Sequence, residues 1–310
     1  MKVLVVCRLY NEQVIPFISE QVNALQELGI EVQWVYVRRG GLLGYFDLWN
    51  AIRKTIPRFK PQVIHAHYGL CGFIANLQRK IPVVTTFPGS DINHKWIRLI
   101  SIIAMRLSTY SIFMCARQFN LVKRFASANY KIMPYGIALN KFTLTEKQEA
   151  RTRLGYKEDE ELVLFSSRFE RLVKNPQLAF DALTHLPQVR LLELTGKYSK
   201  EDMVLLMNAV DAALMTSHTE GSPQFIKEVM ACGCPIVSVD VGDVKDITKD
   251  VDGCYIVSRD PKDIAEKLQL AIDFNKRTQG RQRIMELGLS NELVAKKLID
   301  IYVQISDSNK

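Results

Sequence analysis

Short apolar runs alternate with longer helical patterns through both halves of the chain, and this alternation restricts the fold more than any other feature of the sequence. β-branched runs separated by amphipathic stretches of helical period are typical of α/β proteins with parallel sheets. In the first half, they predict strands near residues 2–7, 31–37, 62–66, 82–86, 110–113 and 130–133. In the second half, they predict strands near residues 162–167, 190–194, 212–216, 235–239 and 254–258. We therefore expect two doubly wound parallel sheets.

The alternation is interrupted once, between the two halves. The segment Met133-Pro134-Tyr135-Gly136-Ile137 is followed by a polar, charged stretch from 143 to 161, and such a change is typical of a domain boundary. A length of 310 residues also favours two domains. The predicted division is an N-terminal Rossmann-like domain, a C-terminal Rossmann-like domain and a last helix, at residues 1–138, 139–288 and 289–310.

Charge is distributed unevenly between the halves. Residues 1–141 contain 18 Lys and Arg against 6 Asp and Glu, a net charge of +12, whereas residues 142–310 have a net charge of −4. A basic half indicates an anionic partner such as an anionic phospholipid, a lipid-linked phosphate or nucleic acid. Because no groove-reading module is recognisable, nucleic acid is not an expected partner.

Cations interleave with apolar and aromatic residues in the basic half. The set is Lys95, Trp96, Ile97, Arg98, Ile100, Ile103, Arg106, Phe113, Arg117, Phe119, Lys123, Arg124, Phe125 and Lys131. This mixture is typical of a helix that lies in a membrane interface. The alternative is that the apolar members are core residues and the cations are solvated, and the sequence leaves both open.

Few features of the sequence indicate the cellular location of the protein. The apolar run at the N-terminus is too short for a signal peptide, and Arg98 and Arg106 interrupt the longest apolar segment, Ile97–Cys115. Six cysteines without metal-type spacing indicate buried free thiols in a reducing compartment. We expect a cytoplasmic protein, and the basic half adds the hypothesis of peripheral attachment to the inner face of the membrane.

The start of the second half predicts an anion site. The strand near 162–167 leads into Arg168, and Lys174 precedes Asn175 and Pro176. Asn175 is expected to be a helix N-cap, with Pro176 as the first helical residue. Both cations then lie beside the positive end of a helix dipole, at the carboxyl end of a strand.

A second helix start follows the strand near 212–216, in the segment Glu220-Gly221-Ser222-Pro223-Gln224-Phe225. Ser222 is expected to be the N-cap and Pro223 to lie in the first turn, while Gly221 allows a ligand to approach the backbone. Two helix starts and two cations at one sheet edge suit a diphosphate, and they would stabilise it as a leaving group. The alternative for each helix start is a purely structural role.

Glu228 lies in the second of these helices. Its carboxylate could accept hydrogen bonds from paired hydroxyls, and the alternative is a solvated helix face.

At these residues the sequence resembles the family 4 retaining glycosyltransferases of GT-B fold. The matching signature begins at Glu220-Gly221-Ser222-Pro223, includes Glu228 and continues through Ala231-Cys232-Gly233-Cys234-Pro235 to the glycine turn Val241-Gly242-Asp243-Val244. In the first half, Gln62-Val63-Ile64-His65-Ala66-His67-Tyr68-Gly69 matches the strand of that family that ends in paired histidines. Pro134-Tyr135-Gly136-Ile137 matches its linker, so the resemblance covers nearly the whole chain.

The resemblance implies a fold of two Rossmann-like sheets that face a cleft, with the last helix crossing back to the first domain. The first domain would then bind the acceptor and the second the nucleotide sugar. The implied activity is a metal-independent, retaining transfer of a hexosyl group from a nucleotide diphosphate donor, with no cofactor beyond that co-substrate. The implied acceptor is a lipid-linked or membrane-presented glycan in bacterial surface polysaccharide synthesis.

The resemblance also implies roles for single residues. Arg168 and Lys174 would hold the donor diphosphate, Glu228 the ribose hydroxyls, and Glu220 the donor sugar near the reaction centre. The implied catalytic set is Glu220, Lys174 and Arg168. The donor-binding set is Arg168, Lys174, Gly221, Ser222, Pro223, Gln224, Phe225 and Glu228. The candidates for the acceptor side or cleft are Asn11, His67, Gly89, Ser90 and Asp91.

Two departures from the family pattern support other hypotheses. Pro88 stands where the family often has a histidine, and the segment Leu9-Tyr10-Asn11-Glu12 lacks the common glycine-rich loop. A catalytically impaired subunit that binds nucleotide sugar is therefore the second hypothesis. A third, another enzyme of the same fold such as a sugar-nucleotide epimerase, is disfavoured by the C-terminal signature.

Two further patterns resemble metal sites. His65 and His67 have no third ligand at a useful spacing, so no metal is expected there and packed histidines are the alternative. Asp250-Val251-Asp252 is expected to be a surface turn.

Overall fold

The computed structural model describes residues 1–195 and 198–307. The chain forms two compact units, one from Met1–Gly136 with Asn291–Lys310 and the other from Ile137–Ser290. The predicted boundaries at residues 138 and 288 lie within two residues of these junctions. Each unit is built on one parallel sheet.

The first unit contains a six-stranded sheet in the order β2-β1-β3-β4-β5-β6. Every neighbouring pair is parallel, as the alternating pattern predicts. The strands are β1 Lys2–Arg8, β2 Glu31–Val37, β3 Val63–His67, β4 Val83–Phe87, β5 Tyr110–Phe113 and β6 Tyr130–Ile132. The helices between them are α1 Pro16–Glu27, α2 Gly41–Phe59, α3 Gly69–Asn76, α4 Ser90–Asn93, α5 Lys95–Leu107 and α6 Ala116–Asn120, with a 3-10 turn at Lys123–Phe125.

The second unit contains a five-stranded parallel sheet in the order β11-β10-β9-β7-β8. Its strands are β7 Leu162–Phe165, β8 Arg190–Glu193, β9 Ala212–Met215, β10 Ile236–Val239 and β11 Cys254–Val257. Its helices are α7 Lys147–Leu154, α8 Pro176–Leu183, α9 Lys200–Ala209, α10 Gln224–Ala231, α11 Val244–Ile247, α12 Pro261–Phe274 and α13 Gly280–Glu286, with 3-10 turns at Leu139–Lys141 and Leu172–Lys174.

The last helix, α14 Asn291–Asp307, belongs to the first unit although it follows the second in sequence. It packs against α1. Its apolar stripe enters a core shared with β1, β3 and α1, through Val294, Ala295, Leu298, Ile301, Tyr302 and Ile305. The return of this helix to the first unit, which the family resemblance implied, is therefore confirmed.

The strand orders locate the point in each sheet where the direction of winding reverses. In the first unit this point lies between β1 and β3, and in the second unit between β7 and β9. Doubly wound sheets bind ligands at such points, just beyond the carboxyl ends of the strands, because the loops there diverge and leave a crevice. The residues that follow these four strands are therefore the first candidates for a site.

The basic, aromatic segment of the first half is divided between core and surface. Phe113 is buried in β5, between Phe87 and Phe119, so of the two alternatives that the sequence left open it follows the one of a core residue. On α5, however, Trp96, Leu99 and Ile103 are exposed on one face. Within residues 1–195 and 198–307, no helix combines the length and apolarity that a membrane span requires.

Candidate functional site

The loop after β7 is held against the end of β9. The Thr216 hydroxyl donates to the backbone carbonyls of Lys174 and Asn175, at 3.0 and 2.8 Å. The His218 backbone N–H donates to the carbonyl of Val173 at 2.9 Å. These bonds hold the cationic segment after β7 against the loop after β9. The two loops meet where the winding of the sheet reverses.

Two of the three predicted catalytic residues in these loops form an ion pair. Lys174 Nζ lies 2.5 Å from Glu220 Oε1, and the two side chains are only 14% and 16% exposed. A pair this well shielded is weakly screened by water, so its geometry is better defined than that of a surface pair. A diphosphate that binds Lys174 therefore has to share this ammonium with Glu220.

The first helix start agrees with the prediction in position but not in its capping. Helix α8 begins at Pro176, and Asn175 is the N-cap, as predicted. Asn175 adopts a left-handed conformation, with φ 53°, and its side chain makes no capping hydrogen bond. The N-terminal amides of α8 are thus not capped by Asn175.

The second helix start is displaced by one residue. Helix α10 begins at Gln224 with Pro223 as the N-cap, so the expectation that Ser222 caps the helix and Pro223 lies in its first turn is wrong. Pro223 has an extended ψ of 122°, which its ring permits because proline restricts φ and not ψ. The Ser222 hydroxyl instead lies beside the carboxylate of Asp243.

The glycine turn after β10 supports this loop from behind. Gly242 has a φ of +60°, and a Cβ added to it would lie 2.4 Å from the Gly221 carbonyl oxygen. Only glycine allows this approach of two backbones. The turn therefore fixes the position of the Glu220-Gly221 backbone at the carboxyl edge of the sheet.

A buried lysine adjoins the same turn. Lys227 of α10 is fully buried. Burial lowers the pKa of Lys227 to about 8, while the carboxylates of Asp243 and Glu228 act to raise it. Burial raises the pKa of Asp243 to about 6, against the effects of Lys227 and Ser222, which lower it. Sequence reasoning missed Lys227, because a single lysine in a helix ordinarily indicates a solvated face.

The remaining predicted donor residues surround this core of the site. Arg168 is exposed after β7, and none of the described residues forms an ion pair with it. Glu228 lies half-buried on α10, and Phe225 packs in the hydrophobic core.

The Gln224 side-chain nitrogen and the hydroxyls of Ser166 and Ser217 are buried at this edge without a hydrogen-bond partner among the described residues. Unsatisfied buried polar atoms are rare in folded proteins, so a cluster of them favours a ligand site.

Arg259 is a second residue that sequence reasoning missed. Its guanidinium donates to the carbonyls of Thr216 and Ser217, at 3.1 and 2.7 Å. Arg259 follows β11 at the same sheet edge and stabilises the loop that carries Glu220. The sequence signal that could have identified Arg259 is a cation placed directly after a predicted strand.

The predicted acceptor-side residues lie in the first unit. The Asp91 carboxylate is buried and accepts hydrogen bonds from the backbone N–H groups of Gly69 and Gly89, at 3.0 and 3.1 Å. Burial raises the pKa of Asp91 to about 6, and these hydrogen bonds act against the rise. Ser90 and Asp91 line a cavity of about 280 Å³. Asn11 is exposed in the turn after β1 and is not part of its lining.

His67 is inside the first unit and has no exposed surface. Its Nδ1 atom lies 2.7 Å from the Tyr135 hydroxyl, and His65 bridges Tyr302 and Thr86 at 2.6 and 2.8 Å. Burial lowers the pKa of both histidines, that of His65 to about 3. The structure places His67 in a packed network, and its Nε2 atom is buried without a hydrogen-bond partner among the described residues.

The Asp250–Asp252 segment precedes β11, in a turn where Asp250 has a left-handed φ of 61°. It lies at the amino edge of the second sheet, opposite the loops described above, as the prediction of a surface turn requires. Among the described residues, no group of three or more His, Cys, Asp or Glu is arranged to hold a metal ion.

Comparison with protein families gives two matches. Residues 11–128 match the family described as Glycosyl transferase 4-like, and residues 174–273 match the family described as Glycosyl transferases group 1. The second match begins at Lys174 and includes Glu220 and Glu228.

Curated relatives are also glycosyltransferases. A D-inositol 3-phosphate glycosyltransferase of Xylanimonas cellulosilytica is 26% identical over 300 residues, covering 78% of this chain and 72% of the relative. TuaC of Bacillus subtilis, a glycosyltransferase assigned to teichuronic acid biosynthesis, is 25% identical over 228 residues, covering 64% of this chain and 58% of the relative. A third relative, from Mycobacterium marinum, is covered over only 42% of its length.

Solved structures share the fold over nearly the whole chain. Sucrose-phosphate synthase from Thermosynechococcus elongatus superposes with a TM-score of 0.81 at 16% identity, covering 98% of this chain and 99% of that structure. Anabaena HepE in complex with UDP superposes with a TM-score of 0.76 at 15% identity, covering 98% of this chain and all of that structure. The fold is therefore GT-B.

Proposed function

Because the chain belongs to the family 4-like glycosyltransferases of GT-B fold, we propose that it transfers a sugar from a nucleotide diphosphate donor with retention at the anomeric carbon. The observation that carries this proposal is the pairing of Lys174 with Glu220 where the winding of the second sheet reverses. A structurally similar protein, Anabaena HepE, has been solved with UDP and with UDP-glucose, which supports a nucleotide sugar as the ligand.

The donor diphosphate lies, in this proposal, across the loops after β7 and β9. Lys174 and Arg168 neutralise its charge, and the free amides at the starts of α8 and α10 add hydrogen bonds. Glu228 accepts the ribose hydroxyls, and the buried Gln224 amide faces the sugar. Since these groups supply positive charge from the protein itself, we propose a reaction that needs no metal ion.

The proposed reaction occurs on one face of the sugar. The bond between the anomeric carbon and the diphosphate oxygen breaks, a bond to the acceptor hydroxyl oxygen forms, and the hydroxyl proton passes to the departing diphosphate. Lys174 stabilises the negative charge that grows on the diphosphate during this step. Glu220, held by Lys174, contacts the donor sugar.

Turnover with a panel of nucleotide sugars and a bacterial membrane extract tests the proposal. We expect nucleoside diphosphate release that depends on acceptor and continues in EDTA. Proton NMR of the product should show the anomeric configuration of the donor. Inversion, or a complete loss of activity in EDTA that a divalent cation restores, would contradict the corresponding part of the proposal.

For the acceptor, we propose a lipid-linked or membrane-presented glycan of a bacterial surface polysaccharide. The enzyme would act on it at the inner face of the membrane. The relative assigned to teichuronic acid biosynthesis supports the polysaccharide. The charge of the first half supports a membrane, because residues 1–141 have a net charge of +12.

An exposed apolar surface of the first unit also supports membrane contact. We name it the apolar rim, and it consists of Tyr10, Leu42, Leu43, Phe46, Trp96 and Leu99. Leu42 and Trp96 are 90% and 77% exposed. The starts of α2 and α5 carry five of the six residues, at the carboxyl edge of the sheet. Arg38 precedes α2 in the chain, and Lys95 is the first residue of α5. Apolar side chains flanked by cations are typical of proteins that bind an interface.

Flotation with liposomes tests this surface. We expect the protein to float with vesicles that contain phosphatidylglycerol and to dissociate at high salt, because salt screens the basic unit from the lipid. Substitution of Phe46 and Trp96 by Ser should abolish the flotation seen at low salt, while Leu270→Ser, on an exposed position of α12, should leave it unchanged. Flotation that is equal for the rim variant and the wild type would exclude the rim as the contact.

A second candidate function is a subunit that binds nucleotide sugar but does not transfer it. Pro88 between β4 and the Gly89 turn is the observation that favours it, since proline cannot supply the hydrogen bond that a histidine would make. Donor binding by calorimetry without turnover, across the full panel of donors and acceptors, would support this candidate over the enzyme.

A further inference from the structure

The loop after β9 has two backbone amides that are not used within the second unit. Among residues 1–195 and 198–307, no group accepts a hydrogen bond from the N–H of Gly221 or from the N–H of Ser222. Free amides suit the oxygens of an anionic ligand, and they bind it more tightly when the loop already has the bound conformation. The contacts that order this loop therefore bear on how well the site binds.

Two buried charged residues adjoin the loop. Lys227 is on α10 and Asp243 is in the glycine turn after β10, and both are buried. Asp243 and, to a smaller extent, Glu228 are the carboxylates that act on the Lys227 ammonium. Asp246 of α11, which is exposed, is the other charged group that acts on Asp243. The charges of Lys227 and Asp243 thus compensate each other next to the loop.

The Ser222 hydroxyl connects the loop to these charges. It lies beside the Asp243 carboxylate and acts to lower the pKa of that group. Ser222 Oγ and Asp243 Oδ1 are buried, and neither has a hydrogen-bond partner elsewhere among the described residues. A hydrogen bond from a hydroxyl to a carboxylate is stronger than one between neutral groups. This contact can therefore fix the backbone of Ser222, just as the close approach of Gly242 fixes that of Gly221.

Stability alone does not explain a buried lysine at this position. The cost of removing two opposite charges from water is close to the gain from their attraction, so apolar side chains of similar size would stabilise the unit equally well. Apolar side chains would not, however, supply a charged acceptor for the Ser222 hydroxyl. The two charges therefore contribute a directed contact to the loop and not additional stability.

We propose that Asp243 and Lys227 are positioning residues of the donor site, which hold the free amides of Gly221 and Ser222 in the geometry that the oxygens of the donor require. Asp243 accepts a hydrogen bond from the Ser222 hydroxyl, and Lys227 compensates the charge of Asp243 in the interior. This inference rests on the proposed function, because the loop belongs to the proposed donor site. The order of the loop can nevertheless be measured without any donor.

Amide nitrogen relaxation, measured by NMR on the full chain, tests the order of the loop. We expect the Gly221 amide to have an order parameter of about 0.85 in the wild type and below about 0.6 in Ser222→Ala. The Leu214 amide of β9 should stay rigid in both proteins, which would show that the unit remains folded. Ser222→Thr keeps the hydroxyl and should resemble the wild type. Asp252→Asn, at an exposed position before β11, is the control and should have no effect.

The double variant Lys227→Met, Asp243→Asn separates positioning from stability. It removes both buried charges together, so the second unit should remain folded. The Gly221 order parameter should still fall below that of the wild type, because an amide oxygen accepts a weaker hydrogen bond than a carboxylate. A wild-type order parameter in this double variant or in Ser222→Ala would overturn the proposal.

Inorganic pyrophosphate tests whether the order of the loop serves binding. By calorimetry, we expect Ser222→Ala and the double variant to bind pyrophosphate about tenfold more weakly than the wild type does. Unchanged affinity in variants whose loop has become mobile would also overturn the positioning role. A wild type that does not bind pyrophosphate would instead contradict the proposed donor site, and the relaxation measurement would still decide whether Asp243 and Lys227 order the loop.

Discussion

Lys174→Ala lowers the rate of sugar transfer by about 100-fold to 1,000-fold, the loss expected when one group that stabilises a developing negative charge is removed. The reason is local, because Lys174 Nζ lies 2.5 Å from Glu220, and its loss leaves this carboxylate without its ion-pair partner and the leaving diphosphate with Arg168 as its remaining proposed cation. The rate is measured as release of nucleoside diphosphate with saturating donor and membrane acceptor.

The control for this prediction is Lys249→Ala, which removes an exposed lysine of the same unit just after α11. It should leave the rate unchanged. Lys174→Arg keeps the charge and should recover part of the rate, and Glu220→Gln should reduce it without preventing nucleotide binding. A Lys174→Ala protein that retains the wild-type rate would remove the ion pair from the reaction.

Lys227→Met destabilises the second unit by about 3–5 kcal/mol, since removal of one member of a buried group of charges leaves the others uncompensated. Asp243 and Glu228 are the carboxylates that act on Lys227, and Asp243 is itself buried. We expect a fall of roughly 6–20 °C in the melting temperature of that unit by calorimetry. Lys262→Met, at an exposed position of α12, is the matched control and should have no measurable effect.

The double variant Lys227→Met, Asp243→Asn makes this prediction sharper. Replacement of both charges should recover most of the lost stability, because a buried ion pair contributes little beyond the cost of desolvating it. A double variant as unstable as the sum of the two single variants would show that the residues act independently.

The contribution of Lys227 to stability depends on pH in a defined direction, because burial disfavours its charged form. Its pKa is about 8 in the folded protein and 10.5 in the unfolded chain. Between these values the unfolded chain binds more protons, so the stability of the wild type rises with pH relative to Lys227→Met, by at most about 1.4 kcal/mol per pH unit. Denaturant unfolding of the two proteins from pH 8 to pH 10 measures this difference, and a constant difference would contradict it.

Sequence periodicity was sufficient to predict the strands of both sheets. All eleven predicted strands are present. The central strands, such as β3, β4 and β9, are buried along their whole length and therefore need a continuous apolar run. The helix starts were predicted less well. Asn175 is at the predicted N-cap, but α10 begins one residue later than expected, because proline in the position before a helix leaves ψ undetermined.

The chain order of the loops predicted which residues reach the sheet edge, but not which of them touch. Lys174 and Glu220 are 46 residues apart, and nothing in their spacing indicates an ion pair. The cation Arg8 was passed over, because only the tertiary structure shows that it lines a cavity together with Tyr45 and Tyr68. His67, in contrast, was retained as a candidate, and packing places it in the interior.

The sequence by itself determined the two parallel sheets, the boundary between the halves and the set of charged loops at the carboxyl ends of the strands. These follow from hydrophobic periodicity and from turn chemistry, which act between residues close in the chain. Only the tertiary structure decided that Lys174 pairs with Glu220, that Lys227 is buried beside Asp243 and that Arg8 faces a cavity. Each of these depends on side chains that folding brings together from distant segments, where burial and the distance between charges set the energy.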